Sequence, residues 1–265
     1  MRILLTNDDG IDAEGFVALR TIAAALSDDV WACAPEIEQS GASRGITLTD
    51  PLRARRVDAR SWAVSGTPTD CVVLALTDLL DRKPDLILSG VNRGHNIGED
   101  VTFSGTVAGA LQGMHFGVPS IALSQSLTRF HDEVVARYDT AERYAPGIIQ
   151  RLVQAGWPRD VVMNVNFPAV GPDEVAGVEV TVQGIRDAEY VTAEKRTDLR
   201  GRDYYWMGFS GARQNPPPGS DLRAVLYDRK ISVTPLHVDL THLQTVHDLK
   251  QVLGGAPPRV RDEVA

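Results

Sequence analysis

Cysteine is scarce in this sequence. Only two of its 265 residues are cysteines, Cys33 and Cys71, and they do not form a Cys-x-x-Cys pair. So few thiols argue against a disulfide scaffold and against a cysteine-ligated zinc site. We predict that both thiols are buried as small apolar groups.

Long hydrophobic runs are also lacking. No apolar stretch approaches the roughly 20 residues of a membrane-spanning helix, so we expect no membrane partner. The short apolar run at the start of the chain is interrupted by Asp8 and Asp9, where a signal peptide would continue its apolar stretch. The pattern predicts the first strand of a cytoplasmic protein.

Positive charge is in short supply as well. There are 27 Lys and Arg residues against 35 Asp and Glu residues, which gives a formal net charge of −8. Nucleic-acid polymers are bound through many Lys and Arg contacts to phosphates, so we expect no such partner. A small phosphorylated ligand is compatible with an acidic chain, because one metal ion or one helix N-terminus holds it locally.

Several catalytic signatures are missing. The sequence has no Gly-x-x-x-x-Gly-Lys-Ser/Thr loop, no Gly-x-Gly-x-x-Gly after the first strand, no Gly-x-Ser-x-Gly elbow and no His-Glu-x-x-His. P-loop, dinucleotide-binding, serine-hydrolase and zincin chemistries are therefore disfavoured. A covalent phospho-aspartate is disfavoured too, because Asn7 stands two residues before Asp9 where phosphatases of that type have a second aspartate.

Short apolar runs alternate with helical stripes over about the first 165 residues. This alternation predicts an α/β fold with a doubly wound, mostly parallel sheet. Later strands follow one another with few helices between them, which predicts C-terminal β-hairpin extensions. The predicted strands are residues 2–7, 30–34, 52–57, 62–64, 85–89, 120–124, 160–166, 179–183, 190–192, 204–208 and 230–234, and the predicted helices are residues 13–26, 69–80, 104–116, 139–155 and 247–253.

We expect one domain over residues 1–265. Its core covers about residues 1–165, a hairpin and oligomerisation region covers about residues 166–254, and residues 255–265 form a frayed tail.

Polar side chains follow the first strand directly, in the Asn-Asp-Asp-Gly sequence of residues 7–10. Ligands of open α/β sheets bind beyond the carboxyl ends of the strands. Asp8 and Asp9 repel each other unless a cation neutralises them, which indicates an oxygen-ligated divalent metal. An ordinary Asp-Gly turn is the alternative.

Two further segments lie at the same predicted edge. Residues 90–103 form a Gly- and Asn-rich loop after an apolar strand, which lets backbone approach a ligand and offers amide oxygens. Ser104, Gly105 and Thr106 open a helix, whose free N–H groups and positive end suit an anion. The alternatives are a flexible connector and an ordinary serine N-cap.

These segments together resemble the SurE family of stationary-phase survival proteins, whose members are metal-dependent 5′-nucleotidases. The likeness spans residue 1 to about residue 240, and the order and spacing of its motifs are specific. The family fold is Rossmann-like, with C-terminal extensions that mediate dimers and tetramers. The matching motifs are residues 7–10, 40–43, 66–71, 89–92, 96–98, 104–107, 205–206 and 232–237.

By position, the resemblance implies that one Mg²⁺ or Mn²⁺ ion is held by Asp8, Asp9, Ser40 and Asn92. All four ligands are hard oxygens, which suit these ions better than zinc. The implied reaction is direct attack of water on a nucleoside 5′-monophosphate, with 3′-monophosphates left open. Asp8 and Asp9 are the expected catalytic residues, Asn96, Ser104, Gly105 and Thr106 are expected to bind the phosphate, and Ser43, Arg93 and His95 are candidate substrate contacts.

Other functions stay open at this point. One is a broad-specificity phosphatase or exopolyphosphatase, because such enzymes share phosphate-site residues with nucleotidases. Another is a nucleotide-binding module without turnover. A structural α/β oligomer, with the aspartate pair as a turn, is the third. We expect a homodimer or homotetramer joined through the C-terminal hairpins.

Overall fold

A mixed, mostly parallel sheet forms the centre of the protein. The computed structural model describes residues 1–130, 133–186, 191–209 and 215–254. The tail predicted for residues 255–265, and Tyr190 of a predicted strand, lie outside these residues. Within the described ranges, no helix has the length and apolar character needed to span a membrane.

Thirteen strands are found in the described ranges: β1 Arg2–Thr6, β2 Asp29–Pro35, β3 Ala54–Asp58, β4 Ser61–Val64, β5 Leu86–Arg93, β6 Ser120–Gln125, β7 Leu127–Phe130, β8 Glu133–Ala136, β9 Val162–Phe167, β10 Gly177–Val180, β11 Val191–Thr197, β12 Asp203–Phe209 and β13 Lys230–Leu236. The α-helices are α1 Glu14–Ala24, α2 Pro68–Leu74, α3 Gly105–His115, α4 Asp139–Ala155, α5 Asp221–Leu226 and α6 Leu243–Leu253.

The central sheet has nine strands in the order β10-β13-β9-β6-β5-β1-β2-β4-β3. The six strands from β9 to β4 in this order run parallel to one another. Strand β3 is antiparallel at one edge, and β13 pairs antiparallel with β9 near the other. Strands β7 and β8 form a separate hairpin, and so do β11 and β12.

Apolar side chains alternate between two cores on the two faces of the sheet. Ile3 and Leu5 of β1 pack in one core with Phe16 of α1, whereas Leu4 packs in the other with Cys33 and Cys71. Helices α1 and α4 cover the first face, and α2 and α3 pack together on the second. This arrangement confirms the predicted doubly wound fold and the buried thiols.

The C-terminal strands differ from the prediction. We expected projecting hairpins, but β10 and β13 pair in the central sheet. That expectation is wrong for these two strands, because Ile231 and Val233 of β13 complete the first core. Among the described C-terminal residues, β11 and β12 form the predicted hairpin extension.

Other boundaries also differ from the prediction. Strand β5 was predicted to end at residue 89 but continues to Arg93. Gly90 makes this possible, because a Cβ atom there would lie 2.2 Å from the Leu123 carbonyl oxygen of β6. The hairpin β7–β8 and helix α5 were not predicted, and α6 begins before residue 247 because His242 caps it.

Candidate active site

The candidate site lies where the direction of chain winding changes. From β1 the chain crosses through α1 to β2 on one side, whereas β5 lies on the other side of β1. Such a switch point leaves a crevice beyond the carboxyl ends of the two strands. Asp8 and Asp9 follow β1, and Asn92 lies near the end of β5. The fold thus brings together three of the predicted ligands.

A cavity of about 380 Å³ opens at this edge. Its volume falls within the range of small-molecule sites, roughly 300–1,000 Å³. Eight of the twelve lining residues are polar or charged, and the two large apolar ones are Phe103 and Leu127. The lining residues are Asp8, Ser40, Gly41, Asn92, Arg93, Gly94, His95, Asn96, Asp100, Phe103, Ser104 and Leu127.

Asp8 is almost fully buried against the start of α3. Its carboxylate accepts a hydrogen bond from the hydroxyl group of Thr106. A Cβ atom on Gly105 would lie only 2.7 Å from Asp8 Cβ, so the glycine permits this close approach. Burial raises the pKa of Asp8 to about 7, a rise that the charge of Asp9 adds to and the Thr106 hydrogen bond opposes.

Asp9 lies beside Asp8 in a half-buried position. Its Oδ2 atom accepts a hydrogen bond from the backbone N–H of Arg93, at 3.0 Å. Burial raises the pKa of Asp9, and the charge of Glu38 raises it further. Two neighbouring carboxylates with raised pKa values form a site in which a positive charge would stabilise their ionised forms.

Asn92 and Ser40 supply neutral oxygens to the same cavity. The side-chain amide of Asn92 donates to the Gly94 carbonyl at 2.8 Å, which directs its nitrogen away from service as a ligand and leaves its oxygen. The hydroxyl of Ser40 donates to Glu38 Oε1 at 2.8 Å. Together with Asp8 and Asp9, these oxygens fit a hard divalent cation.

The described residues contain no group of three or more His, Cys, Asp or Glu side chains placed to hold a metal. A cation at this edge would therefore depend on neutral oxygens as well as on the two carboxylates. That donor set suits Mg²⁺ or Mn²⁺, which keep several water ligands.

Asn96 is buried and firmly held. Its amide nitrogen donates to Ser124 Oγ at 2.8 Å, and its backbone N–H donates to Asn166 Oδ1 at 2.8 Å. Asn164 and Asn166 of β9 both donate to its carbonyl. Sequence reasoning missed these two asparagines, although both interrupt an apolar strand at alternate positions, which was the available signal.

The start of α3 keeps its predicted place beside the carboxylates. Ser104 lines the cavity and caps the helix, since its hydroxyl accepts from the Val107 N–H at 3.0 Å. The Thr106 hydroxyl is committed to Asp8. Ser43 donates to the Thr102 carbonyl at 2.8 Å, which ties its loop to the turn before α3.

Arg93 and His95 both line the cavity. The guanidinium of Arg93 donates to the Val134 carbonyl of β8 at 2.7 Å, so it fastens the β7–β8 hairpin to the site. The His95 imidazole lies 3.5 Å from Ser126 Oγ and 3.9 Å from the Asp100 carboxylate. Burial lowers the pKa of His95, which favours the neutral ring.

A group of ion pairs includes Asp100 of the cavity lining. The side chain of Arg186 is 5% exposed and pairs with Asp100 at 2.8 Å and with Glu99 at 3.0 Å. Asp221, fully buried, accepts hydrogen bonds from the N–H groups of Gly98 and Gly184. No local sequence signal marks these contacts, because the partners are far apart in the chain.

The fold and the site together define a doubly wound α/β protein with a carboxylate-centred ligand site at the switch point of its sheet. The family model described as Survival protein SurE matches residues 3–190. The chain belongs to the SurE family, which confirms the resemblance inferred from its motifs.

The sequence is similar to those of its relatives over almost the whole chain. A protein of Caulobacter vibrioides (strain NA1000 / CB15N), named 5′-nucleotidase SurE, is 67% identical over 98% of both chains. The protein of that name from Parvibaculum lavamentivorans is 51% identical over 100% of this chain and 96% of its own. The crystal structure of SurE from Aquifex aeolicus covers 96% of this chain and 100% of its own, with a TM-score of 0.81 and 36% identity.

Proposed function

We propose that the protein is a 5′-nucleotidase, a phosphomonoesterase that converts nucleoside 5′-monophosphates to nucleoside and inorganic phosphate. The observation that carries this proposal is the placement of Asp8 and Asn92 in the wall of one small-molecule cavity, with Asp9 next to Asp8 and held by the Arg93 N–H at 3.0 Å. The relatives described above, named 5′-nucleotidase, support the substrate class.

The cofactor proposed is one Mg²⁺ or Mn²⁺ ion, held by Asp8, Asp9, Ser40 and Asn92. When bound, such an ion offsets negative charge, polarises the phosphoryl group and lowers the pKa of attacking water. With both carboxylates ionised, the formal charge of ion and ligands is zero. A phosphate dianion can then enter without meeting net negative charge.

The residues of the chain have separate tasks in the reaction. Asn96 and the start of α3 at Ser104, Gly105 and Thr106 bind the phosphate oxygens, which suits the positive end of a helix. Asp9 orients a water molecule and accepts its proton. The water oxygen bonds to phosphorus as the phosphorus–oxygen bond to the nucleoside breaks, and the released nucleoside oxygen takes up a proton.

Assembly and location complete the proposal. The chain is one domain, residues 1–265, whose C-terminal part supplies two strands of the sheet and a hairpin for a homodimer or homotetramer. The exposed Trp206 and Met207 of β12 support that role for the hairpin. The cytoplasm is the proposed compartment, with which the free thiols Cys33 and Cys71 are compatible.

The test is release of inorganic phosphate from AMP, GMP and their 3′ isomers, with Mn²⁺, with Mg²⁺ or with excess EDTA. Metal-dependent release from the 5′ isomers supports the proposal. Release from polyphosphate alone would instead favour an exopolyphosphatase. A folded sample that binds AMP but releases no phosphate with either ion would be a binding module.

A further inference from the structure

One wall of the cavity has no part in the phosphate chemistry. Phe103, His95 and Leu127 contribute to it. Asp100 links two of these residues, because the Phe103 N–H donates to the Asp100 carbonyl at 2.9 Å and the His95 ring lies 3.9 Å from the Asp100 carboxylate. The other nitrogen of that ring is 3.5 Å from Ser126, the neighbour of Leu127.

Phe103 stands out on this wall because 51% of the residue is exposed. Covering an aromatic ring with another apolar group lowers the free energy. An exposed ring at a ligand cavity therefore offers a contact surface for a ligand. Among the described residues that line the cavity, Phe103 is the only aromatic one apart from the His95 imidazole. Phe103 directly precedes Ser104, so the ring adjoins the proposed phosphate subsite.

The cavity is larger than a phosphate requires. Its volume of about 380 Å³ lies in the range of sites that hold whole small-molecule ligands, roughly 300–1,000 Å³. A phosphate fills only part of this space, and the remainder, beside Phe103 and Leu127, suits an organic group with an apolar face.

We propose that Phe103 is a stacking platform for the nucleobase of the substrate, with Leu127 as an apolar contact. This inference rests on the proposed function and deepens it. Every base has a π-face, so stacking tolerates different bases. We expect purine and pyrimidine nucleotides to be accepted, with purines preferred because their rings cover more of the phenyl face.

The turn that carries Phe103 is held in place. The carbonyl of Thr102 accepts a hydrogen bond from Ser43 at 2.8 Å, and Asp100 is paired with Arg186. A ring on such a turn needs little ordering when a ligand binds, which favours its use as a platform.

The first test compares AMP with ribose 5-phosphate, which lacks a base, as substrates in Mn²⁺. Because Phe103→Ala removes base–aromatic stacking, we expect it to lower the ratio of the kcat/KM values, AMP over ribose 5-phosphate, about 5- to 150-fold. Phe103→Tyr, which keeps the ring, should restore the ratio. An equal loss on both substrates would show that Phe103 only shapes the turn.

The second test needs neither metal nor turnover. Adenosine is titrated calorimetrically into the wild type, Phe103→Ala and Phe103→Leu in EDTA, with melting temperatures recorded to confirm folding. Weaker binding by both variants supports the platform, and equal adenosine affinities overturn it. If the wild type releases no phosphate from either substrate, the proposed nucleotidase activity fails, and the titration still decides the role of Phe103.

Discussion

At the scale of single residues, the site is defined by two acids in an unfavourable place. Asp8 and Asp9 are adjacent in sequence and withdrawn from water, and burial raises the pKa of each. The neighbouring hydrogen bonds from Thr106 and the Arg93 backbone offset only part of this cost. Removing one of the two charges should therefore reduce the cost of burying them, but it also removes a group that the reaction needs.

Replacement of either acid by its amide tests this view. Asp8→Asn and Asp9→Asn should each lower phosphate release from AMP on the order of 100-fold or more, because a charged group at the reacting centre is lost. A ligand that binds only the folded state stabilises it by about 2.7 kcal/mol at 100 times its Kd. Calorimetry should thus show that Mn²⁺ raises the melting temperature of the wild type but not of these variants.

Asp12→Asn is the matched control, because Asp12 is an exposed acid on the same segment. It should keep both the turnover and the response to Mn²⁺. Retention of both properties by the Asp8 and Asp9 variants would contradict the assigned ligand set.

Gly105 provides a second prediction at this scale. In Gly105→Ala the new Cβ would meet Asp8 Cβ at 2.7 Å and Oδ2 at 2.9 Å, so the carboxylate must move. Overpacking of this kind costs about 1–3 kcal/mol. Displacement of a catalytic group by about 1 Å lowers the rate by as much as 100-fold. Urea unfolding and phosphate release measure the two effects.

Gly147→Ala is the control for Gly105→Ala. Gly147 lies inside α4, where an added Cβ atom would meet no neighbouring group within 4 Å. Alanine should therefore stabilise the protein by about 0.5–1 kcal/mol and leave turnover unchanged. If the two variants had the same stability and the same rate of phosphate release, the close approach of Gly105 to Asp8 would not matter for activity.

At the scale of elements, the sequence predicted what local pattern determines. The apolar runs before Asp8 and before Asn92 indicated strands, and the shared edge of a parallel sheet placed these side chains together. Pattern could not place β10 and β13, because a short strand looks alike in a hairpin and in a sheet. Ser40 follows a strand without any local mark and came only from the family resemblance.

Contacts between distant elements were beyond sequence reasoning. Asp221 joins α5, the turn at Gly98 and the segment at Gly184, more than 30 residues apart. Nothing local at residue 221 reveals that its carboxylate accepts three backbone N–H groups.

That junction yields a prediction for the turn leading to the site. In Asp221→Ala, three buried N–H groups lose their acceptor, which should cost at least about 2 kcal/mol of unfolding free energy. Activity should fall as well, because Asp100 and Ser104 follow the freed turn. In Asp228→Ala, by contrast, a half-exposed pair with Arg223 is lost, at a cost of at most about 1 kcal/mol. Urea unfolding measures the loss of unfolding free energy in each variant. Comparable losses would contradict the stabilising role given to Asp221.

At the scale of the whole molecule, the β11–β12 hairpin carries several exposed apolar side chains. All residues of β11 are exposed, and on β12 Tyr205 and Trp206 are each 60% exposed and Met207 70%. A two-stranded hairpin alone is marginally stable in water. Exposed apolar side chains on such an arm mark a surface that another protein covers.

We expect that surface to be covered by a second copy of the chain. Trp206→Ser should then shift the sedimentation equilibrium from dimer or tetramer toward monomer, because aromatic anchors carry a large share of interface energy, often about 2 kcal/mol or more each. Leu48→Ser, at an 87% exposed position outside the hairpin, should leave the assembly intact. Monomeric wild-type protein at micromolar concentration would refute the role of the hairpin. A Trp206→Ser protein that stayed oligomeric would move the interface to another surface, with the exposed face of α6 as the next candidate.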